Sequence, residues 1–503
     1  MDLLMGVDLG STTVKAVIYK PTGEPVAEAS VKLPLTRGDK EHPTWCYWMP
    51  DDVWGSVKTV VKKAVGDLPS GNRVKALAVT GFGMDGLPIN KAGKELYPFI
   101  SWHCPRTLEQ LEWARTRIRD EDMFDETLKR PMPIDTIYRI LWIKKHKPEI
   151  YENTYKWLLI EDYVNFKFSG EIASDFSMSS TVSAMRQDTH SWSEKILSLF
   201  DIPRDILPIP RQSNTVLGKV LPSVCAETEL DSETLVILGG HDYICSAFAS
   251  GILSGEDILD INGTWEMLVG GVDDISNVKY SEELFYIESH VVTGRYCAIE
   301  AAISGDMVEW VKSLANLSWD EFVALAAGSP IGARGCTLLP HFTGADAPRQ
   351  EPTSLGAFVG LSNNVGYADL ARAVIEGLTY KTKEMLVSLS KAVDTKYTSI
   401  KATGGAIRNK LWMQTKADIL GIPVEIPDLH EATPLGAALL AGVGTGVYKD
   451  EKEAIDTVLK IERVYEPDPK RHEIYTDLYE NVYRKMQGSL SDVNLNIYNR
   501  FIK

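Results

Sequence analysis

What the chain has little of narrows its roles first. Among 503 residues there are only six cysteines, Cys46, Cys104, Cys225, Cys245, Cys297 and Cys336, and no two of them form a CxxC pair. That spacing excludes a zinc ribbon and a disulfide framework, and reads as the reduced thiols of a cytoplasmic protein. Positive charge is also short: 53 Lys and Arg against 69 Asp and Glu give a net charge of -16. Nucleic acid and acidic membrane surfaces reward basic patches, so neither is an expected partner. A polyanionic small ligand is not excluded, because backbone amides and Mg2+ bind phosphate inside acidic proteins. No apolar run is long enough to cross a membrane, and the N-terminus enters a strand without a basic leader or a cleavable apolar segment.

What is present is ordinary for a globular protein: 44% hydrophobic and 24% charged residues, a balance that does not favour disorder. At about 150 residues per domain the length predicts about two to four domains. Residues 3–10 read as a strand ending in Asp8 and Gly10, and 14–19 as its return after a turn of hydroxyls, Ser11, Thr12 and Thr13. The amides of such a turn can bind phosphate oxygens while Asp8 holds a hydrated Mg2+. Any hairpin wants glycine and threonine, so a purely structural reading stands beside that one. A third strand over 25–33 precedes a helix over 50–65 capped by Asp51 or Asp52, which is how a ribonuclease-H-like or actin-like domain begins. Residues 258–269 repeat the strand, Gly-Thr turn and strand, with Asn262, Gly263 and Thr264 as a second cradle, and this points to duplication of one fold.

The stretch 236–246 holds the residue that most needs explaining. Residues 236–238 read as a buried strand end, Gly239 and Gly240 as a tight turn, and 243–251 as the first turns of a helix. Asp242 then lies near a helix N-terminus, either as a plain N-cap or as a carboxylate that a ligand approaches over the glycines. The adjacent His241 reads as a satisfied structural histidine, since one carboxylate suffices as a base. Upstream, a strand over 75–80 ends in Gly81-Phe-Gly-Met-Asp-Gly86, and a hairpin of 88–93 with 97–102 runs into His103-Cys-Pro-Arg-Thr107. Asp85, Trp102 and Arg106 suit a polyol, the charged groups for hydroxyls and the indole for the apolar carbon face. A packed tryptophan beside a surface acid and base reads equally well. Residues 399–403 form a strand delivering Gly404 and Gly405 onto a helix that starts near Asn409; glycine there lets backbone lie against a nucleotide, or simply joins strand to helix. Residues 175–181 read as a hydroxyl-rich, solvent-facing loop, and 433–441 as a small-residue helix start that packs closely.

These segments resemble the FGGY family of carbohydrate kinases, within the actin-like ATPase superfamily, along nearly the whole chain. Asp8-Leu-Gly-Ser-Thr12 is similar to the family's first phosphate hairpin, Gly240-His-Asp242 to its catalytic carboxylate segment, Gly263-Thr264 to its second phosphate hairpin, and Gly404-Gly-Ala-Ile-Arg-Asn409 to its adenosine-side glycine motif. The second family signature is met by 356–361 followed by Asp369-Leu370 and 373–376. Around 134–142 the first is met imperfectly, because Arg139 stands where the family usually has lysine. The segments 82–86 and 101–107 are similar to those of the L-fuculose kinases, with Met84 in place of valine and His103 in place of lysine.

The resemblance implies an α/β fold of two ribonuclease-H-like (actin-like ATPase) domains flanking a catalytic cleft, a sugar-binding domain over 1–245 and a nucleotide-binding domain over 246–503. It implies ATP and Mg2+, a ketose as the other small-molecule partner and, as in many members, a homodimer. A sugar hydroxyl would attack the γ-phosphate in line while Asp242 accepts its proton. Asp8 would hold Mg2+ through water, Gly10, Ser11, Thr12, Thr13, Gly263 and Thr264 would surround the phosphates, and Gly404, Gly405 and Asn409 the adenosine. Met84, Asp85, Trp102, Arg106 and Asp242 would bind the sugar, best matched by L-fuculose phosphorylated at its 1-hydroxyl. The alternatives are a kinase for another ketose or polyol, such as xylulose or rhamnulose, and a non-catalytic actin-like ATP-binding protein.

Overall fold

The computed structural model describes residues 2–502. Two sheets carry the fold, one in each half of the chain. The first contains β1 (Asp2–Leu9), β2 (Thr13–Tyr19), β3 (Pro25–Lys32), β4 (Arg73–Gly81), β5 (Val216–Lys219) and β6 (Leu235–His241), in the order β5-β6-β4-β1-β2-β3. The second contains β7 (Ile258–Asn262), β8 (Trp265–Val272), β9 (Tyr286–Ser289), β10 (Tyr296–Ile303), β11 (Ile400–Gly404), β12 (Val424–Pro427) and β13 (Ile461–Tyr465), in the order β9-β10-β8-β7-β11-β12-β13. In each, the opening hairpin is antiparallel and its first strand pairs parallel with a later strand: β1 with β2 and β4, β7 with β8 and β11. The next neighbours agree as well, β6 parallel to β4 and β12 parallel to β11. The repeat anticipated from two Gly turns is therefore a repeated sheet topology, extended at one edge by β9.

The central strands are apolar on both faces because both faces are covered. Leu3, Leu4, Met5, Val7 and Leu9 of β1 are all buried. Helices Asp242–Ala249 and Ala432–Gly444 lie between the sheets, where Phe248, Leu435 and Leu440 join Leu4 and Ile237 of the first sheet and Leu259 and Ile299 of the second in one core. The later helix packs back against the first sheet so closely that a Cβ on Gly6 would lie 1.8 Å from the Pro434 carbonyl oxygen. The small-residue run over 433–441 is thus used for close packing. Truncating a buried leucine in this shared core, such as Leu440→Ala, should cost about 2–5 kcal/mol.

Four local expectations change. Helix Pro50–Gly66 starts on its proline with Met49 in the cap position and no side-chain cap; Asp51 and Asp52 sit in the first turn, where the dipole favours them. Gly239 and Gly240 are not a turn but lie inside β6, whose register with β4 slips between Leu238 and Gly240. A Cβ on Gly239 would be 1.8 Å from the Val79 carbonyl oxygen, so the glycine permits a bulge at close strand contact. The hairpin forms only near its turn, where Ile89 bridges Glu95 and the Leu96 amide donates to the Pro88 carbonyl at 2.9 Å; beyond it Phe99–Ile100 pairs with Cys46–Trp48, and Gly86–Ile89 also pairs with Lys156–Leu159. Finally, 175–181 is no solvent-facing loop: Asp175 caps the short helix Phe176–Ser180, and most of the segment is buried. Among the described residues no helix is long and apolar enough to cross a membrane.

Candidate active site

The C-terminal ends of β1, β4 and β6 meet at one edge of the first sheet, with Asp8 opposite Thr80 and His241 opposite Gly81. Asp242 follows as the first residue of its helix, where the dipole favours an anion. Its Oδ1 accepts a hydrogen bond from the Tyr243 amide at 2.6 Å. Burial raises the pKa of Asp242, while the adjoining His241 ring opposes the rise. Burial, and then the neighbouring Asp242 charge, push Asp8 up to about 8, with Lys15 acting in the other direction. The Lys15 ammonium itself is 2.7 Å from Glu431. Two carboxylates therefore influence each other at the end of this sheet. Such a donor set fits Mg2+, which uses one or two carboxylates and completes its shell with water and phosphate oxygens. No group of three or more His, Cys, Asp and Glu that could hold a metal occurs among the described residues. In the adjoining hairpin the Gly10 amide is taken by the Thr13 carbonyl at 3.1 Å, which leaves Ser11 and the exposed Thr12 as the tip.

The segment 82–86 packs against this edge. Met84 has a φ of 77°, uncommon for a residue with a side chain, and is held there from both sides. Its amide donates to Thr181 Oγ1 at 3.0 Å, and its carbonyl accepts from Thr136 Oγ1 at 2.6 Å. A Cβ on Gly83 would lie 2.5 Å from Thr181 Cγ2 and 2.8 Å from His241 Nε2, so only glycine lets the loop close on the histidine. Asp85 and Arg106 are both buried, not surface groups. Asp85 accepts from Trp48 Nε1 at 2.8 Å and from the Trp102 amide at 3.1 Å, and stands 3.1 Å from Arg139. Burial lifts its pKa to about 6 against the pull of Arg139. Arg139, the departure from the family signature, also donates to the Ile100 carbonyl at 2.9 Å, so it ties the loop at Asp85 to the strand Phe99–Ile100. The Arg106 guanidinium lies 4.0 Å from the ring centre of Trp45, 4.3 Å from Tyr47 and 4.9 Å from Trp142. Trp102 is half-buried and stacks on the exposed His103 at 3.7 Å.

The second hairpin opens on a different space. Gly263, Thr264, Gly405 and Asn409 line a cleft of ≈ 730 Å³ together with apolar Trp319, Val323 and Ala327. That volume and mixed lining suit a nucleoside. Gly405 has nothing within 4 Å of where a Cβ would stand, so its face of the cleft is open. Gly404 does not line the cleft. Its φ of +91° brings it against the Asn262 carbonyl, where a Cβ would lie 2.3 Å from the oxygen, so it serves the β7–β11 pairing. Asn409 caps helix Lys410–Leu420 through the Trp412 amide at 3.1 Å, and its Nδ2 has no partner within the protein.

Two consecutive family models cover most of the chain: the N-terminal domain of the FGGY family of carbohydrate kinases matches residues 3–249 and the C-terminal domain matches 263–445. The chain belongs to the FGGY family of carbohydrate kinases. An FGGY xylulose kinase of Staphylococcus epidermidis is 27% identical over 507 residues, covering 98% of each chain. An L-fuculokinase of Escherichia coli is 28% identical over 463 residues, covering 90% of this chain and 94% of its own. The crystal structure of a ligand-bound xylulose kinase from Lactobacillus acidophilus superposes with a TM-score of 0.89 at 23% identity, over 98% of this chain and 99% of its own, which establishes the common fold. The protein is an ATP-dependent carbohydrate kinase of two actin-like lobes. Within that frame, sequence reasoning missed Thr136, Ser177, Thr181 and Glu288, whose contacts brace the segment leading into Asp242 and the loop beside it. The hydroxyl-rich run over 175–181 was the available signal for two of them.

Proposed function

We propose that this kinase phosphorylates a ketose, that Asp242 is the general base, and that L-fuculose at its 1-hydroxyl is the first substrate to test. The observation that carries the reading is Asp242 itself: a carboxylate at a helix N-terminus, 30% exposed, beside a strained loop that glycine holds against the same strand end. The hydroxyl oxygen attacks the γ-phosphorus, its proton passes to Asp242, the bond from phosphorus to the bridging oxygen breaks, and ADP leaves. The turn amides at Ser11, Thr12 and Thr264 stabilise charge on the phosphate oxygens, and Gly263, whose own amide is taken by the Trp265 carbonyl at 2.9 Å, shapes the second turn. Asp8 would hold Mg2+, which when bound neutralises phosphate charge. Gly405 and Asn409 flank the adenosine. Trp102 offers its ring to the carbon face of the sugar and Met84 fixes the floor, while Asp85 and Arg106 act from beneath by holding that floor and wall. In this reading 1–245 is the sugar domain and 246–503 the nucleotide domain, with helix Ala432–Gly444 packed back on the first sheet. Six free cysteines fit a reducing cytoplasm.

Phosphorylation of xylulose is the second reading, favoured by the near-complete coverage of the Staphylococcus epidermidis xylulose kinase. ADP release with L-fuculose, D-xylulose, L-rhamnulose and glycerol, followed by carbon NMR of the product, separates the two. The expected outcome is ketose-dependent ADP release, fastest with L-fuculose, and phosphate on the first carbon. Phosphate on the fifth carbon of a pentulose would establish the second reading instead, and sugar-independent hydrolysis would reject both.

A further inference from the structure

Glu288 belongs to β9 of the second lobe, yet its fully buried carboxylate meets groups of the first half of the chain. His241 Nδ1 is 2.9 Å from its Oε2, the Tyr243 hydroxyl donates to the same oxygen at 2.8 Å, and Lys129 Nζ is 3.4 Å from Oε1. Lys129 stands 3.5 Å from Asp135 in turn. Burial opposes the charge on Glu288, but His241 and Lys129 outweigh it and hold its pKa below the ordinary glutamate value. An ionised carboxylate only accepts, so His241 donates from Nδ1 and its tautomer is fixed. The other ring nitrogen, Nε2, is then an acceptor; it faces Asp242 Oδ1 at 3.7 Å, beyond hydrogen-bond reach of the ionised carboxylate, and lies against Gly83. The His241 amide donates to Ser177 Oγ at 2.9 Å, so ring and main chain are both pinned immediately before Asp242.

A buried histidine needs a partner for its ring N–H, which a backbone carbonyl would supply without a buried charge. Burying an ionised acid is expensive, and apolar residues of similar volume would fill the same space without that desolvation. A carboxylate oriented on one ring nitrogen, with the other nitrogen facing a functional group, is how proteins fix the direction of an imidazole.

We propose that Glu288 and His241 form a positioning pair for Asp242: the carboxylate of the second lobe orients the imidazole so that Nε2, an acceptor in this tautomer, faces the base and accepts a hydrogen bond from its carboxyl group once that group has taken the hydroxyl proton. The inference rests on Asp242 being the base. Neither partner touches the reacting atoms; the proton taken from the sugar hydroxyl stays on Asp242. Because Glu288 and Asp242 come from different lobes, the base is set only where the two lobes meet.

Steady-state kinetics of Glu288→Gln, His241→Asn and the double variant test this, with Asp242→Asn as reference. Each single change should lower kcat about 10- to 100-fold, the range for partners that orient a functional group, with KM for ATP changed less than about twofold. The double variant should be about as slow as the slower single one, because the two groups act as a unit. Thermal unfolding of each variant separates loss of fold from loss of rate. Should Glu288→Gln fail to fold because Lys129 loses a partner, His241→Asn carries the same test, since it leaves Glu288 with Tyr243 and Lys129. Single variants with kcat within about twofold of the parent, or losses that multiply in the double variant, overturn the proposal while leaving an inactive Asp242→Asn and the base reading intact. An active Asp242→Asn overturns both.

Discussion

The two lobes share a strand order and differ in how they treat buried acid. In the second, Lys416 is fully buried at the base of the Gly263-Thr264 turn, where it bonds Asp260, Glu266 at 2.8 Å and Asn262 at 2.8 Å. Burial opposes its charge, but Asp260 and Glu266 outweigh that and raise its pKa above the ordinary lysine value. In the first, Asp8 and Asp242 are both raised by burial, and the lysine beside Asp8 is bonded to Glu431. An uncompensated buried charge costs several kcal/mol, of order the net stability of many domains. In the first lobe burial holds both acids toward their protonated forms. In the second Lys416 offsets much of the cost, although burial still raises Asp260. One topology thus carries two acids without a bonded lysine in one lobe and a lysine-bonded clamp in the other.

Breaking the clamp should have the largest effect. Lys416→Met leaves Asp260 and Glu266 buried without their cation, and should destabilise the protein by about 3–5 kcal/mol in urea unfolding while raising KM for ATP. Unchanged stability would mean that the buried cluster does not hold the turn. Gly405→Val comes next. Its open surroundings let the variant fold, but the side chain enters the cleft, so KM for ATP should rise about tenfold, equivalent to about 1.4 kcal/mol, with KM for the sugar little altered. Equal changes in both constants would place Gly405 away from the nucleotide. The smallest effect sharpens the contrast from the other side. With Asp8 pushed from 3.8 up to about 8, the folded chain holds a proton that the unfolded chain has already lost across that interval. The stabilisation is complete below the unfolded value and is lost as pH rises through the folded one. Ligand-free protein should therefore melt a few degrees lower near about pH 9 than near about pH 6, and Asp8→Asn should flatten that fall. A slope that Asp8→Asn leaves unchanged would assign it to other groups.

Local signals in the sequence carried far, and non-local ones did not. The strand expected over 14–19 is observed as Thr13–Tyr19, and both Gly-turn hairpins form where they were expected, because spacing and turn chemistry act within a few residues. Gly239 was misread because a glycine that closes a turn and one that admits a neighbouring carbonyl look the same in one dimension. The alternative that put Asp85 and Arg106 at the surface fails for a related reason: Arg139 and the cage of Trp45, Tyr47 and Trp142 come from separate segments. The partners that satisfy His241, Ser177 at 64 residues away and Glu288 at 47, could not be named from the sequence. The position of Asp242 was legible; the groups around it were not.

The central claim is that Asp242 removes the hydroxyl proton, and ketose-dependent ADP release by Asp242→Asn measures it directly. The variant should bind sugar and ATP with affinities close to those of the parent and turn over at least about 10²-fold more slowly, the lower end for loss of a general base. Near-native kcat with the preferred ketose would contradict the account.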